Sequence, residues 1–180
     1  MSNWKKDLKE TVEPSIDYSK CDLSVMIRQA EKKGACDEEL YDLSQYDSIE
    51  EAMQHENAPY WCLWYAVYVI KKRWKEVEPI IMKDSEYAFW YAHDVIGGRW
   101  EEAEPFIMKN AGYACQYARY IIQGRWEEAE PIIVKKASSA YLYARHIFQK
   151  RWKEAESTIA TSMLWKSEYE KIFNCKIGEE

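Results

Sequence analysis

Arg99-Trp100-Glu101-Glu102-Ala103-Glu104-Pro105-Phe106-Ile107 opens a stretch that runs on through Tyr117-Ala118 and Ile121-Ile122 to Gly124, and the chain then begins the same phrase again at Arg125-Trp126. Arg-Trp pairs also stand at Arg73-Trp74 and Arg151-Trp152, so the period is 26 residues (100 − 74 = 26). A fixed period of about 20–50 residues marks a stacked array, in which one small unit cannot bury its apolar face alone and needs its neighbours.

The match extends well beyond the Arg-Trp pair. Glu-x-Glu recurs at Glu76/Glu78, Glu102/Glu104, Glu128/Glu130 and Glu154/Glu156. It is followed by Pro79, Pro105 and Pro131, and then by Ile81, Ile107, Ile133 and Ile159. Tyr-Ala recurs at 91–92, 117–118 and 143–144. The repeats therefore divide as 73–98, 99–124, 125–150 and a final 151–174. A weaker copy at 47–72 is carried by Ser48-Ile49-Glu50-Glu51-Ala52, Trp61-Cys62 and Tyr65-Ala66. Residues 1–46 hold no clear register and read as an N-terminal helical cap or degenerate repeat, with helices near Leu23–Lys33 and Asp37–Tyr46. Residues 175–180 are a tail. In the last unit Lys166 and Glu170 stand where earlier units have alanine, as expected of a C-terminal cap that meets no following neighbour.

Each unit reads as two helices. Helix A starts at the Trp and runs to Lys83, Lys109 or Lys135, with its proline trimming or bending it. Helix B covers about Glu86–Ile96 and its equivalents. Asp84 and Asn110 suit the N-cap, Asn57-Ala58-Pro59 supplies a cap and an early proline in the weak copy, and Gly98 and Gly124 suit the position after the C-terminus. The expected fold is all-α: a right-handed α-solenoid of tandem 26-residue helical hairpins with capping helices at both ends.

On a wheel of about 100° per residue, positions 87, 88, 91, 92, 95 and 96 fall in one half of helix B, and they and their equivalents stay small or apolar in the four copies before the last. Positions in the other half change from copy to copy. From that variable half we take Trp64, Tyr68, Phe89, Trp90, His93, Arg119, Tyr120, Tyr141, Arg145 and His146 as candidate partner-binding residues. Trp, Tyr and Arg are the types most able to anchor an interface. The repeated Trp, Ile and Tyr positions are assigned to the stacked core.

Composition narrows the function. With 47% hydrophobic and 15% aromatic residues a packed core is expected, while a net charge of −6 argues against a general nucleic-acid binder, which needs clustered Lys and Arg. Five cysteines with no CxxC spacing suggest neither a disulfide framework nor a zinc site. Met1 to Asp7 lack the apolar core of a signal peptide, and the apolar run from Ala58 to Ile70 is too short to span a membrane, so a cytoplasmic protein is expected. His55, His93 and His146 lie in different units, and no pair has the i, i+4 spacing of a helical metal site. Because Glu-x-Glu recurs in one register it reads as structural, with a repeated Arg and Glu forming an ion-pair ladder between repeats. Cys115 reads as packing. No catalytic residue, cofactor or metal is assigned.

The phrase Arg-Trp-x-Glu-Ala-Glu-Pro-x-Ile followed by Tyr-Ala-x-x-Tyr-Ala-x-x-Ile-Ile, as at 99–122, resembles a short tandem repeat of bacteriophage, large-virus and bacterial proteins that has no assigned activity. The likeness covers about 48–174, and the last unit departs from it with Ser157 for proline and Tyr169-Glu170 for Tyr-Ala. The resemblance implies a viral origin, and with it the host cytoplasm and a host or defence protein as target. The expected function is a non-enzymatic protein-binding module. The alternatives are an RNA or single-stranded DNA binder using aromatics with Arg119 and Arg145, and a nucleic-acid mimic using Glu101, Glu102, Glu104, Glu127, Glu128 and Glu130. The same exposed aromatics also suit a homo-oligomer.

Overall fold

The computed structural model describes residues 22–178, and all their regular structure is helical, with no strand among them. Cys21 and the Met1 to Asp7 stretch lie outside the described residues, as do the last two positions of the tail. Helices α1 (Leu23–Lys32) and α2 (Asp37–Ser44) precede the repeats, within two residues of the expected bounds. The B helices are α4 (Ala58–Tyr65), α6 (Ser85–Tyr91), α8 (Ala111–Tyr117), α10 (Ala137–Tyr143) and α12 (Met163–Phe173). The A helices are α3 (Ile49–Ala52), α5 (Glu78–Ile81), α7 (Glu104–Ile107), α9 (Glu130–Ile133) and α11 (Lys153–Ala160).

Proline shapes the A segments. In three units the chain first makes a 3₁₀ turn, at Lys75–Val77, Glu101–Ala103 and Glu127–Ala129, and the proline then stands in the first positions of a single α-turn. A proline there loses no hydrogen bond, because the amides of a helix's first turn have no partner within the helix. In the last unit Ser157 replaces it, and α11 runs unbroken for eight residues.

The B helices begin with side-chain caps where the sequence supplies them. The Asp84 carboxylate accepts from the amides of Glu86 and Tyr87, and the Asn110 side chain accepts from those of Gly112 and Tyr113. Asn57 occupies the cap of α4 but makes no such bond, and Lys136 has no acceptor to offer. At the other end each of four B helices widens into a π-helical stretch, Ala66–Ile70, Ala92–Ile96, Ala118–Ile122 and Ala144–Phe148. The amides of Lys71, Gly97, Gln123 and Gln149 close it by donating to the carbonyls of Ala66, Ala92, Ala118 and Ala144. Those four closing residues are left-handed, with φ of 56°, 70°, 57° and 54°. The left-handed position is therefore 97 and its equivalents, one residue before the expected Gly98 and Gly124. Gly98 and Gly124 instead add a second amide to the same alanine carbonyl, at 3.3 and 3.2 Å.

Each B helix packs on the next, from α4 through α6, α8 and α10 to α12, and each A helix from α5 to α11 packs on the B helix before it. Trp74, Trp100, Trp126 and Trp152 are buried, together with Ile81, Ile107, Ile133, Ile159 and the tyrosines at 91, 117, 143 and 169. One fully buried isoleucine contributes on the order of 2 kcal/mol, so the apolar repeat alone accounts for a continuous core.

A polar network recurs at the edge of that core, with its arginines open to solvent. Arg99 grips Glu104 through Nε and Nη2, both at 2.9 Å, the Tyr117 hydroxyl donates to Glu104 Oε1 at 3.2 Å, and the same hydroxyl accepts the Trp100 amide at 2.6 Å. The set repeats as Arg73–Glu78–Tyr91–Trp74, Arg125–Glu130–Tyr143–Trp126 and Arg151–Glu156–Tyr169–Trp152. The expected ladder between repeats is thus corrected: each Arg–Glu pair spans five residues and closes within its own unit, because the helical turn that follows the Trp, 3₁₀ in three units and α in the last, brings the second glutamate back to the arginine. The first glutamate of each pair, at 76, 102, 128 and 154, is exposed.

At the C-terminal end Lys166 and Glu170 pair at 3.9 Å, and Glu170 also accepts the Ile177 amide at 2.9 Å. Ile177 is buried, so the segment after α12 folds back onto the last unit. At the other end Gln29 of α1 accepts the Tyr65 hydroxyl, and Glu39 of α2 accepts the Trp61 indole N–H.

Candidate interaction surface

An interior B helix touches its two neighbouring B helices, its own A helix and the A helix of the next unit, so little more than a strip of its circumference faces solvent. Tyr68 (52% exposed), Trp90 (39%) and Tyr120 (46%) are on that strip, with His93 and Arg145 exposed beside them. Trp64, Arg119 and His146 are half-buried along the same line.

Phe89 and Tyr141 are not on it. Both are about 1% exposed, and their rings lie 6.0 Å from Tyr113 and 5.1 Å from Trp165 of the following unit. Cys115, at the same position of its own unit, is buried too, and that burial pushes its thiol up to about 12. The apolar arc is therefore wider than half a turn, because position 89 and its equivalents face the next B helix. These residues are stacking groups and leave the candidate set.

The remaining side chains touch one another. Trp64 and Tyr68 rings lie 5.0 Å apart. Trp90 meets His93 edge-on at 5.9 Å, and His93 in turn meets Tyr120 of the next unit edge-on at 6.5 Å. The Arg119 guanidinium sits 4.9 Å over the Tyr120 ring, and Arg145 donates to the Tyr141 hydroxyl at 2.9 Å. His93 Nδ1 and Asp94 Oδ1 are 2.6 Å apart. Burial lowers the affinity of His146 for a proton, and the charges of Arg119 and Arg145 lower it further, so the imidazole is neutral at pH 7.

No family model, curated protein or solved structure matches the chain. Function rests on the geometry.

Among the described residues no group of three His, Cys, Asp or Glu is placed to hold a metal ion, and no helix is long and apolar enough to cross a membrane. Of the glutamates considered for a polyanion mimic, Glu101, Glu102, Glu127 and Glu128 are exposed, whereas Glu104 and Glu130 are committed to Arg99 and Arg125.

Two features escaped the sequence reading. Ile172, 40% exposed, continues the row of Tyr68, Asp94, Tyr120 and His146, and adding 26 to 146 would have found it. The second is a recess between α1, α2 and α4, which had no signal because residues 22–46 share no register with the repeats.

Proposed function

We propose that the chain is a non-enzymatic protein-binding module: a solenoid of 26-residue helical hairpins over 47–174, capped by α1 and α2 at one end and by the last unit and its returning tail at the other. The observation that carries this reading is the contrast between the two sets of side chains. The Trp, Ile, Tyr and Arg–Glu groups that hold the units together repeat in the four copies from 73 to 174, while the exposed strip presents Tyr68, then Trp90 and His93, then Arg119 and Tyr120, then Arg145 and His146. A surface kept open across four units, but different in each, suits one specific partner.

Taken with the likeness to repeats of bacteriophage and large-virus proteins, the reading extends to an inhibitor that occludes a host or defence protein in the host cytoplasm. The test is affinity capture from a host lysate with the native chain and with Trp90→Ala, Arg119→Ala, Tyr120→Ala and Arg145→Ala combined. All four positions are at least partly exposed, so the variant is expected to fold. A protein held by the native chain and lost by the folded variant is the expected result, and equal capture by both would refute the assignment of the interface to the B helices. Loss on reversing Glu101, Glu102, Glu127 and Glu128 instead would favour the nucleic-acid mimic.

A further inference from the structure

Arginine is used in two ways along the repeats. Arg73, Arg99, Arg125 and Arg151 each hold a glutamate through two hydrogen bonds. Arg119 and Arg145 have no carboxylate partner among the described residues: one lies over a tyrosine ring and the other bonds a phenol. In a chain of net charge −6, two neighbouring guanidiniums left without counter-charge, with His146 beside both, make a local site for an anion. A carboxylate reaching them would gain planar two-point hydrogen bonding that neither arginine spends inside the protein.

The opposite end of the strip is apolar. Trp64 and Tyr60 form one wall of the recess between α1, α2 and α4, whose other sides are Leu23, Met26, Leu40 and Leu43. Its volume is about 40 Å³, room for the tip of one aliphatic side chain, and exposed Cys36 stands at its rim. Between recess and arginines the exposed rings of Tyr68, Trp90 and Tyr120 offer flat contact, and Asp94 places a negative charge in the middle. The strip thus runs from apolar, past a carboxylate, to basic.

We infer that the strip takes an extended acidic segment of a partner protein, with an aliphatic side chain in the α1–α2–α4 recess and a pair of carboxylates on Arg119 and Arg145. This inference rests on the reading of the strip as a protein-binding surface and adds the partner's chemistry. Helices pack about 8–10 Å apart, so the two to three helix steps from α4 to the arginines cover about 16–30 Å. An extended chain of about 3.3 Å per residue spans that with about five to nine residues. The Asp94 carboxylate excludes acidic residues from the centre of the segment. A nucleic-acid strand would carry charge at every step, across both Asp94 and the recess, and is disfavoured for that reason.

The experiment is selection of a displayed library of random 16-residue peptides on the immobilised full chain, in 50 mM salt and with excess oligothymidine as competitor. The expected winners carry two or more clustered Asp or Glu, set about five to nine residues from a Leu, Ile or Met. Their binding should fall at least tenfold on Arg119→Gln with Arg145→Gln, and again on Cys36→Trp, which fills the mouth of the recess without removing a core side chain. Circular dichroism checks that both variants fold. Winners without the acidic cluster, winners indifferent to the arginine changes, displacement by oligothymidine, or no winners at all would each overturn the inference. If a lysate protein is still captured through the strip in those cases, the binding-module reading stands and only the partner's chemistry is wrong.

Discussion

The Tyr117 hydroxyl links three separate parts of its unit, since it accepts the Trp100 amide, donates to Glu104 and so fixes the carboxylate that Arg99 grips. Tyr117→Phe leaves a buried amide and a buried carboxylate each short of a partner, which should cost on the order of 2 kcal/mol. Urea unfolding of the variant measures it, and an exposed control, Tyr41→Phe, should change nothing. The same network sets the response to alkali. Burial pushes the Tyr169 phenol up to about 12, with the Glu156 charge adding to the rise and the Trp152 amide opposing it, and Tyr91, Tyr117 and Tyr143 are raised further for the same reason. A phenol whose folded pKa lies above its unfolded value of about 10 holds its proton better in the folded state. Its contribution to stability is therefore complete below pH 10 and is lost as pH climbs toward 12 and beyond. Tyrosinate absorbance should show these four phenols ionising only as the helical signal collapses.

At the scale of the element, the π-helical stretch that ends four of the five B helices forces a left-handed residue, and only one of the four sites is filled by glycine. A residue with a Cβ is strained there, so Gln123→Gly and Gln149→Gly should each stabilise the chain by roughly 0.5–1 kcal/mol. Gly97→Ala should cost about as much, although open space surrounds the position, because the strain is in the backbone. Thermal melts of the three variants decide it, and a destabilised Gln123→Gly would refute the account of the turn. These elements also show what could be read from sequence. The hairpins and the core rows were legible because identical residues recur every 26 positions, and the caps at Asp84 and Asn110 because each side chain is a good acceptor before a helix. The π-turn was not, because an i→i+5 closure leaves no residue signature when lysine, glycine and glutamine all occupy its end. Phe89 and Tyr141 were misplaced because a wheel divides a helix into halves, while a helix flanked by two like helices buries well over half its surface.

In the molecule as a whole each B helix from α4 to α10 packs on the next B helix and on the A helix that leads to it. Deleting residues 99–124 joins Gly98 to Arg125 in the same register as the native junction at Arg99, so the shortened chain should fold with a smaller urea m-value and lower stability. Deleting 99–111 breaks the register, and that chain should not fold. The row of B helices also makes the candidate surface long rather than deep, since it borrows one or two side chains from each unit. Its central portion from Trp90 to Arg145 was legible as the part of the repeat that varies, while the apolar recess at the α1–α2 end could only be found once those helices were placed against α4. The most direct check of the central claim is calorimetric titration of the captured partner against three forms of the chain: native, the strip variant carrying Trp90→Ala, Arg119→Ala, Tyr120→Ala and Arg145→Ala, and an A-helix variant with Glu101, Glu102, Glu127 and Glu128 changed to Lys. A protein-binding B strip predicts at least a hundredfold weaker binding for the strip variant and near-native binding for the A-helix variant. The reverse order would contradict it.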